Sequence, residues 1–409
     1  MPKTIAILAT LDTKGAEVEF LRQEIEALGS KALLIDIGVI GEPEVEPDVT
    51  RDQVIEAGGS TSDAVLASPT REDASPILIR GSTTLILAGI QADDIHALLS
   101  LGGTQGTSNC TQVMQALPYG FPKIMLSTVA SGDTSPFVGI KDITMMFSVS
   151  DILGLNVFSR KILANAAGAA MGMAQVSRGL ETGIQSDKPL IGLTNLGVLT
   201  EGAMHAIDRF HEKGYEVIPF HAVGSGGRAM EQMMKDGIIG AVFDYALGEI
   251  ADEVFDGLRA GNEERLTVAA SLGLPQVICP GGAEHIGLLL DTPNEVPEKY
   301  ADHKYVFHNP IVFAPRLNSE EIVKVAETIC ARLASAKSNT IFMIPKGGVS
   351  RYSIAGGELR EEKSDEAFFE ALRSGLPKTI DLREMPDGAE DDAFVDAAVD
   401  ALIGLITSS

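Results

Sequence analysis

Hydrophobic and polar positions alternate between two textures along this chain, short continuous apolar runs and longer stretches with apolar residues three or four apart. Thr4 to Ala9 (TIAILA) is a strand-like run, Ala16 to Leu28 has helical spacing, and Ala32 to Ile37 (ALLIDI) is a second run, which predicts a β-α-β unit. A right-handed crossover makes its strands parallel. Further strands are expected around Leu85 to Leu87, at Ala97 to Leu101 and at Lys123 to Ser127, while Leu153 to Met173 predicts a helix rich in small residues, suited to a domain or subunit contact. The proline- and acid-rich stretch from Gly41 to Ser75 accommodates a surface excursion, a lid or a dimer arm.

A polar segment from Glu181 to Pro189 places a domain boundary there, giving residues 1–184 and 185–409. Beyond it, short apolar runs at Pro189 to Leu193, Glu216 to Phe220, Gly240 to Asp244, Gln276 to Cys279, Tyr305 to His308 and Thr340 to Ile344 predict a second, predominantly parallel sheet. A helix-patterned segment, Glu201 to Lys213, lies between two of them. The expected fold class is α/β, with two Rossmann-like parallel-sheet domains and an interdomain cleft.

Two polar loops stand out against this frame. Leu101 to Asn109 reads LGGTQGTSN, and Ser127 to Pro136 reads STVASGDTSP, each following a candidate strand. At the carboxyl edge of a parallel sheet, glycines let backbone approach a ligand, and successive amides at a helix N-terminus attract an anion. Gly102, Gly103 and Gly106 supply that freedom; Thr104, Thr107, Ser108 and Asn109 add polar groups, and Ser131, Gly132, Asp133 and Thr134 do the same in the second loop. The spacing is neither GxGxxG nor a Walker phosphate loop, and tight strand-to-helix turns with capping hydroxyls are the competing structural role.

Individual residues divide in the same way. Asp36 ends a strand where a carboxylate holds a ribose in dinucleotide folds, or simply caps a helix. Lys14 either neutralises phosphate or sits in solvent at a helix start. Asp133 either holds magnesium or caps a helix, and no ligand set for any metal is defined. In the second half, HAVGSGGR groups His221, Gly224, Ser225, Gly226, Gly227 and Arg228 as an anion clamp with His221 as an acid or base. Asp244 and Glu249 are candidates for proton transfer, and Gly281, Gly282 and His308 lie at other strand ends as substrate contacts, with ordinary structural roles as the alternative.

A length of 409 residues with 45% hydrophobic content supports large cores, and a formal charge of −25 opposes nucleic-acid binding. No apolar run reaches membrane-spanning length, so a cytoplasmic protein without a membrane partner is expected. Three distant cysteines argue against a disulfide scaffold or a zinc site; Cys110, just after the glycine loop, is either a buried filler or a thiol activated by a helix start.

The ordered set ATLDTKG (Ala9 to Gly15), LGGTQGTSN, STVASGDTSP, LANAAGAAMGM (Leu163 to Met173), HAVGSGGRAME (His221 to Glu231) and HNP (His308 to Pro310) resembles the Tm-one-like family, that of the amino-terminal domain of the tomato mosaic virus resistance protein. The resemblance spans nearly the whole chain. It implies two α/β domains, a homodimer and an ATP site in the first domain, with ATLDTKG, and hence Thr10 and Asp12, bordering the glycine loops. It does not imply the antiviral role, which depends on a viral partner. The chain departs from the family at DYALGE (Asp244 to Glu249), where hydroxyl residues are usual, and at PGGAEH (Pro280 to His285), which puts a shared second-domain substrate in doubt. The reading that follows is an ATP-binding enzyme acting on a small anionic metabolite, by phosphoryl transfer or ligation. The alternatives are a noncatalytic nucleotide-responsive binding protein and a lyase or hydrolase that uses no nucleotide.

Overall fold

The computed structural model describes residues 2–66, 71–176, 188–337 and 339–408, and the chain divides into two compact units, Met1–Gln185 and Ser186–Ser409. The expected boundary at residues 184 and 185 lies outside the described residues.

The first unit runs β1 (Thr4–Ala9), α1 (Leu11–Ala27), β2 (Lys31–Asp36), α2 (Arg51–Ala57), α3 (Ser62–Leu66), α4 (Arg71–Gln91), β3 (Ala97–Gly102), α5 (Thr104–Ala116), β4 (Lys123–Ser127), α6 (Ser135–Val138), β5 (Thr144–Phe147) and α7 (Val157–Val176). Its five strands pair in parallel in the order β2-β1-β3-β4-β5. The central strands are apolar on both faces because helices cover both. Ile5 and Ile7 pack with Val18, Leu21 and Ala166 on one side, and Ala6 and Leu8 with Val54, Leu78 and Val113 on the other.

One expectation fails here, and two other segments gain definition. Leu85 to Leu87 belongs to α4 rather than to a strand, since its apolar residues continue a helical face that buries Leu78 and Ile86. The Gly41 to Ser75 stretch is not a mere excursion: Thr50 caps α2 in a reciprocal capping box with Gln53, and Val54 and Ile55 enter the core. The small residues of α7 are used within the unit, where Ala166, Ala167 and Ala170 let the helix lie close against α1 and the sheet.

The second unit runs β6 (Ile191–Asn195), α8 (Thr200–Glu212), β7 (Val217–His221), α9 (Ser225–Lys235), β8 (Ala241–Ala246), α10 (Gly248–Val254), α11 (Val268–Leu272), β9 (Gln276–Gly281), β10 (Leu288–Leu289), β11 (Tyr305–Asn309), β12 (Val312–Pro315), α12 (Ser319–Arg332), β13 (Thr340–Pro345), α13 (Glu362–Gly375), β14 (Asp381–Met385) and α14 (Asp392–Ser408). Six strands form a parallel sheet in the order β14-β13-β9-β8-β6-β7. The apolar run at Tyr305, expected in that sheet, instead forms β11 of a separate antiparallel sheet, β10-β12-β11. Its partner strand follows after only two residues, Pro310 and Ile311, a connection far too short for a parallel crossover.

Both large sheets are doubly wound. Chain order reverses between β1 and β3 in the first and between β6 and β8 in the second, and at such a point the loops above adjacent strand ends diverge and leave a crevice.

Candidate functional site

In the first unit that crevice is a pocket of about 490 Å3, lined by Thr10 and the start of α1 (Asp12, Thr13, Lys14), the loop after β2 (Ile37, Val39, Ile40), and the end of β3 with the start of α5 (Gly102 to Gly106, with Asn109). Ala74, Ser75 and Leu78 of α4 and Asp151 complete it. The predicted glycine loop is shorter than the sequence suggests. The strand ends at Gly102, Gly103 is the N-cap, and the helix begins at Thr104. A Cβ on Gly102 would meet Gly106 Cα at 3.0 Å, so glycine lets this helix start close against the strand end. No side chain caps α5, so its first-turn amides have no internal acceptor from the N-cap residue.

Two carboxylates hold the neighbouring loops. Asp36 is buried, and its Oδ1 accepts from the amides of Leu11 (3.0 Å) and Gly38 (2.8 Å). Burial raises its pKa while those two amides oppose the rise. A carboxylate so engaged, and absent from the pocket wall, fixes the loops and does not reach a ribose; the expectation for Asp36 is corrected accordingly. Asp12 Oδ2 accepts from Ile40 (2.8 Å) and Gly41 (3.1 Å), whereas its buried Oδ1 has no hydrogen-bond partner among the described residues. Lys14, at a kink in α1, donates to the carbonyl of Ile152.

The pocket brings together Thr10, Asp12, Lys14, Gly102, Gly103, Thr104, Gly106 and Asn109, and not the other expected contacts. Thr107 is fully buried, its hydroxyl 2.7 Å from that of Ser127, which ties α5 to β4. Ser108 faces the next helical turn, where Gln112 donates to its carbonyl. Ser131, Gly132, Asp133 and Thr134 lie off the pocket. Asp133 accepts from the Ser135 amide (3.0 Å) and hydroxyl (2.7 Å), a local turn just before α6, whose N-cap is Thr134. Ile37, Val39, Ile40, Ser75, Leu78 and Asp151 had no sequence signal of their own, because their place follows from α4, the β2 loop and the segment after β5 folding over the strand ends.

The second-unit expectations change more. Asp244 and Glu249 are buried around Arg265, which donates from Nη2 to Asp244 Oδ1 (2.6 Å) and from Nε to Glu249 Oε2 (2.7 Å), and stands 3.4 Å from Glu231. Glu249 Oε1 accepts from Gly224 (2.6 Å) and Gly227 (3.0 Å). The glycine turn predicted to clamp an outside anion therefore clamps the chain's own carboxylate. Gly224 (φ 86°), Gly226 and Gly227 are glycine because a Cβ would strike Ala260 O, His221 O and Glu249 Oε2. Asp244 and Glu249 are structural rather than catalytic, Ser225 and Arg228 lie on exposed surface, and Gly281 and Gly282 close the buried end of β9. His221 and His308 do share a wall of a second pocket, of about 420 Å3.

All three cysteines are free and buried, and burial pushes the Cys110 thiol up to about 12, which removes it as a nucleophile. Among the described residues, no group of three or more His, Cys, Asp or Glu side chains converges as a metal site, and no helix is long and apolar enough to cross a membrane.

The class is thus a tandem of doubly wound parallel α/β units, the first with a pocket at its switch point and the second with a pocket over the ends of β6 and β7. The chain belongs to the Uncharacterised protein family (UPF0261), whose N-terminal domain matches residues 3–179 and whose C-terminal domain matches residues 188–406. It is 38% identical to a UPF0261 protein of Clostridium tetani over 99% of this chain and 100% of that one, and 36% identical to one of Rhizobium meliloti over 98% of each. It is also 29% identical to the ToMV resistance protein Tm-1(GCR237) of Solanum lycopersicum, over 81% of this chain and 44% of that protein, in keeping with the expected kinship. The structure of MurG from Acinetobacter baumannii aligns over 98% of this chain and 100% of its own at 10% identity and a TM-score of 0.24, a value from which no correspondence of parts follows.

Proposed function

We propose that the amino-terminal unit is a nucleotide-binding module, with ATP the expected ligand and magnesium its companion. The observation that carries this is the uncapped N-terminus of α5 standing in a pocket at the β1/β3 switch point. Its amides and helix dipole suit a phosphate. Ile37, Val39, Ile40 and Leu78 offer an apolar wall for a base, and Thr10, Thr13 and Asn109 offer hydroxyl and amide partners for a ribose. Asp12 and Asp151 line the same pocket and are the carboxylates that would hold a magnesium ion, which would neutralise phosphate charge there.

The proposal extends to a homodimer and to an enzyme that couples nucleotide to a small anionic metabolite. With Asp244 and Glu249 sequestered, acid-base work in the second unit falls to histidines. Isothermal titration with ATP, ADP and adenosine, with and without magnesium, tests the binding step. The expected order is ATP and ADP well above adenosine, because the helix N-terminus contacts phosphate. Absence of ATP binding overturns the proposal. Product detection on a metabolite panel then separates an enzyme from a nucleotide-responsive binding protein.

A further inference from the structure

The second pocket lies over the ends of β6, β7 and β9, near the switch point of the six-stranded sheet, and its chemistry is unlike the first. Most of its wall is apolar, from Leu196, Val198, Val223, Leu258, Val312 and Ala314. One end is strongly polar and deeply buried. There Arg259 (8% exposed) and His285 (3% exposed) meet.

Arg259 is fixed from behind. Its Nε and Nη2 donate to Asp252 Oδ2 (2.9 Å) and Oδ1 (2.7 Å), and Nη2 also donates to the His285 carbonyl (3.1 Å). Nη1 reaches His285 Nε2 at 3.3 Å. A guanidinium carries five N–H groups, and these bonds use four. One Nη1 hydrogen is left without an acceptor among the described residues, on a group that lines the cavity. Arginine only donates, so the bond to Nε2 requires the neutral ring with its proton on Nδ1, beside Glu284 Oε1 at 3.2 Å but out of line for a hydrogen bond. Glu284 is itself buried and accepts from the Ser350 hydroxyl, which holds the cluster in place.

We infer that this pocket binds a small carboxylic acid with an apolar body, its carboxylate taking the free Nη1 hydrogen of Arg259 beside His285 and its hydrocarbon part lying against Leu196, Val198, Val223 and Val312. The Arg259 charge is paired with Asp252, but its one remaining buried N–H lacks an acceptor, which is costly, and a carboxylate is an acceptor that satisfies it. The apolar walls exclude highly charged ligands such as a polyphosphate, which would leave charges desolvated and unpaired. The site lies wholly within the carboxy-terminal unit and does not depend on nucleotide in the other.

Saturation-transfer NMR on the full chain tests this with hexanoate, benzoate and phenylacetate, each beside its primary amide. The acids are expected to bind at least tenfold more tightly than the amides. Arg259→Gln is expected to bring acid and amide to the same level. Gly197 lines the pocket at a position where a Cβ meets nothing within 4 Å, so Gly197→Leu should fold normally and abolish binding of both; it keeps the test decisive should Arg259→Gln fail to fold. No binding by any of the acids, equal binding of acids and amides, or undiminished binding in Gly197→Leu would overturn the inference.

Discussion

Two residues show how burial turns a carboxylate into either a lock or a titrating element. Asp12 divides its work, one oxygen gripping the loop after β2 and the other buried without a hydrogen-bond partner among the described residues. Asp12→Asn keeps an acceptor for the loop amides and removes the charge. It is expected to leave the urea midpoint nearly unchanged while weakening magnesium-ATP more than magnesium-free ATP, as read by titration. Glu231 is the titrating case. Burial pushes its carboxyl up to about 7, Arg265 pulling it down and Asp244 pushing it up in turn. Against an ordinary value of 4.5, the folded protein holds this proton where the unfolded chain has lost it. The stability from this group is therefore complete below 4.5 and lost as pH rises through about 7. Urea midpoints measured from pH 5 to 8 should fall with pH in the natural protein, and fall less in Glu231→Gln. Equal slopes for the two would show that another group titrates.

At the scale of elements, Arg265 joins β8 through Asp244, α10 through Glu249 and α9 through Glu231, so three segments share one buried cation. Arg265→Met removes the charge and leaves the buried carboxylates of Asp244 and Glu249 without their cation, an expected loss of about 3–5 kcal/mol in urea unfolding. Asn318→Ala breaks a reciprocal capping box at the exposed start of α12, and about 1 kcal/mol is expected there. Little of the Arg265 hub could be read from sequence. Asp244 and Glu249 looked chemical because they stand at strand ends, and nothing local announces an arginine 16 to 21 residues further along as their partner. The strands themselves were legible where both faces are buried, as in β1, β4 and β13, since a continuous apolar run leaves few other readings. Two of the four edge strands of the large sheets were not legible: β5 (TMMF) and β14 (DLREM) are short and half exposed, so neither carries a continuous buried run, whereas β2 and β7, also at edges, were expected. The first pocket was half visible, because ATLDTKG and LGGTQGTSN are contiguous motifs, while the walls from α4 and the β2 loop arrive only through tertiary folding.

For the whole molecule, surface and charge set the remaining expectations. Phe147, Val149, Leu153, Val157 and Phe158 are apolar and exposed within a twelve-residue stretch running from the edge strand β5 into α7, an excess of exposed apolar side chains that favours association. Leu153→Glu with Val157→Glu is expected to convert a dimer to a monomer in sedimentation equilibrium, and a natural chain that sediments as a monomer would remove the dimer from the proposal. The formal charge of −25 then acts on any nucleotide that approaches. Close in, the helix N-terminus attracts phosphate, but at 0.01 M salt the screening length is about 30 Å and an incoming polyanion feels the whole repulsive field. At 0.15 M salt that length is about 8 Å, and mainly the local attraction survives. Association of a fluorescent ATP analogue, followed by stopped flow, should therefore quicken as salt rises over this range, the reverse of the usual behaviour of phosphate-binding proteins with basic surfaces. A rate that falls with salt would place the analogue at a positively charged surface and away from the α5 pocket.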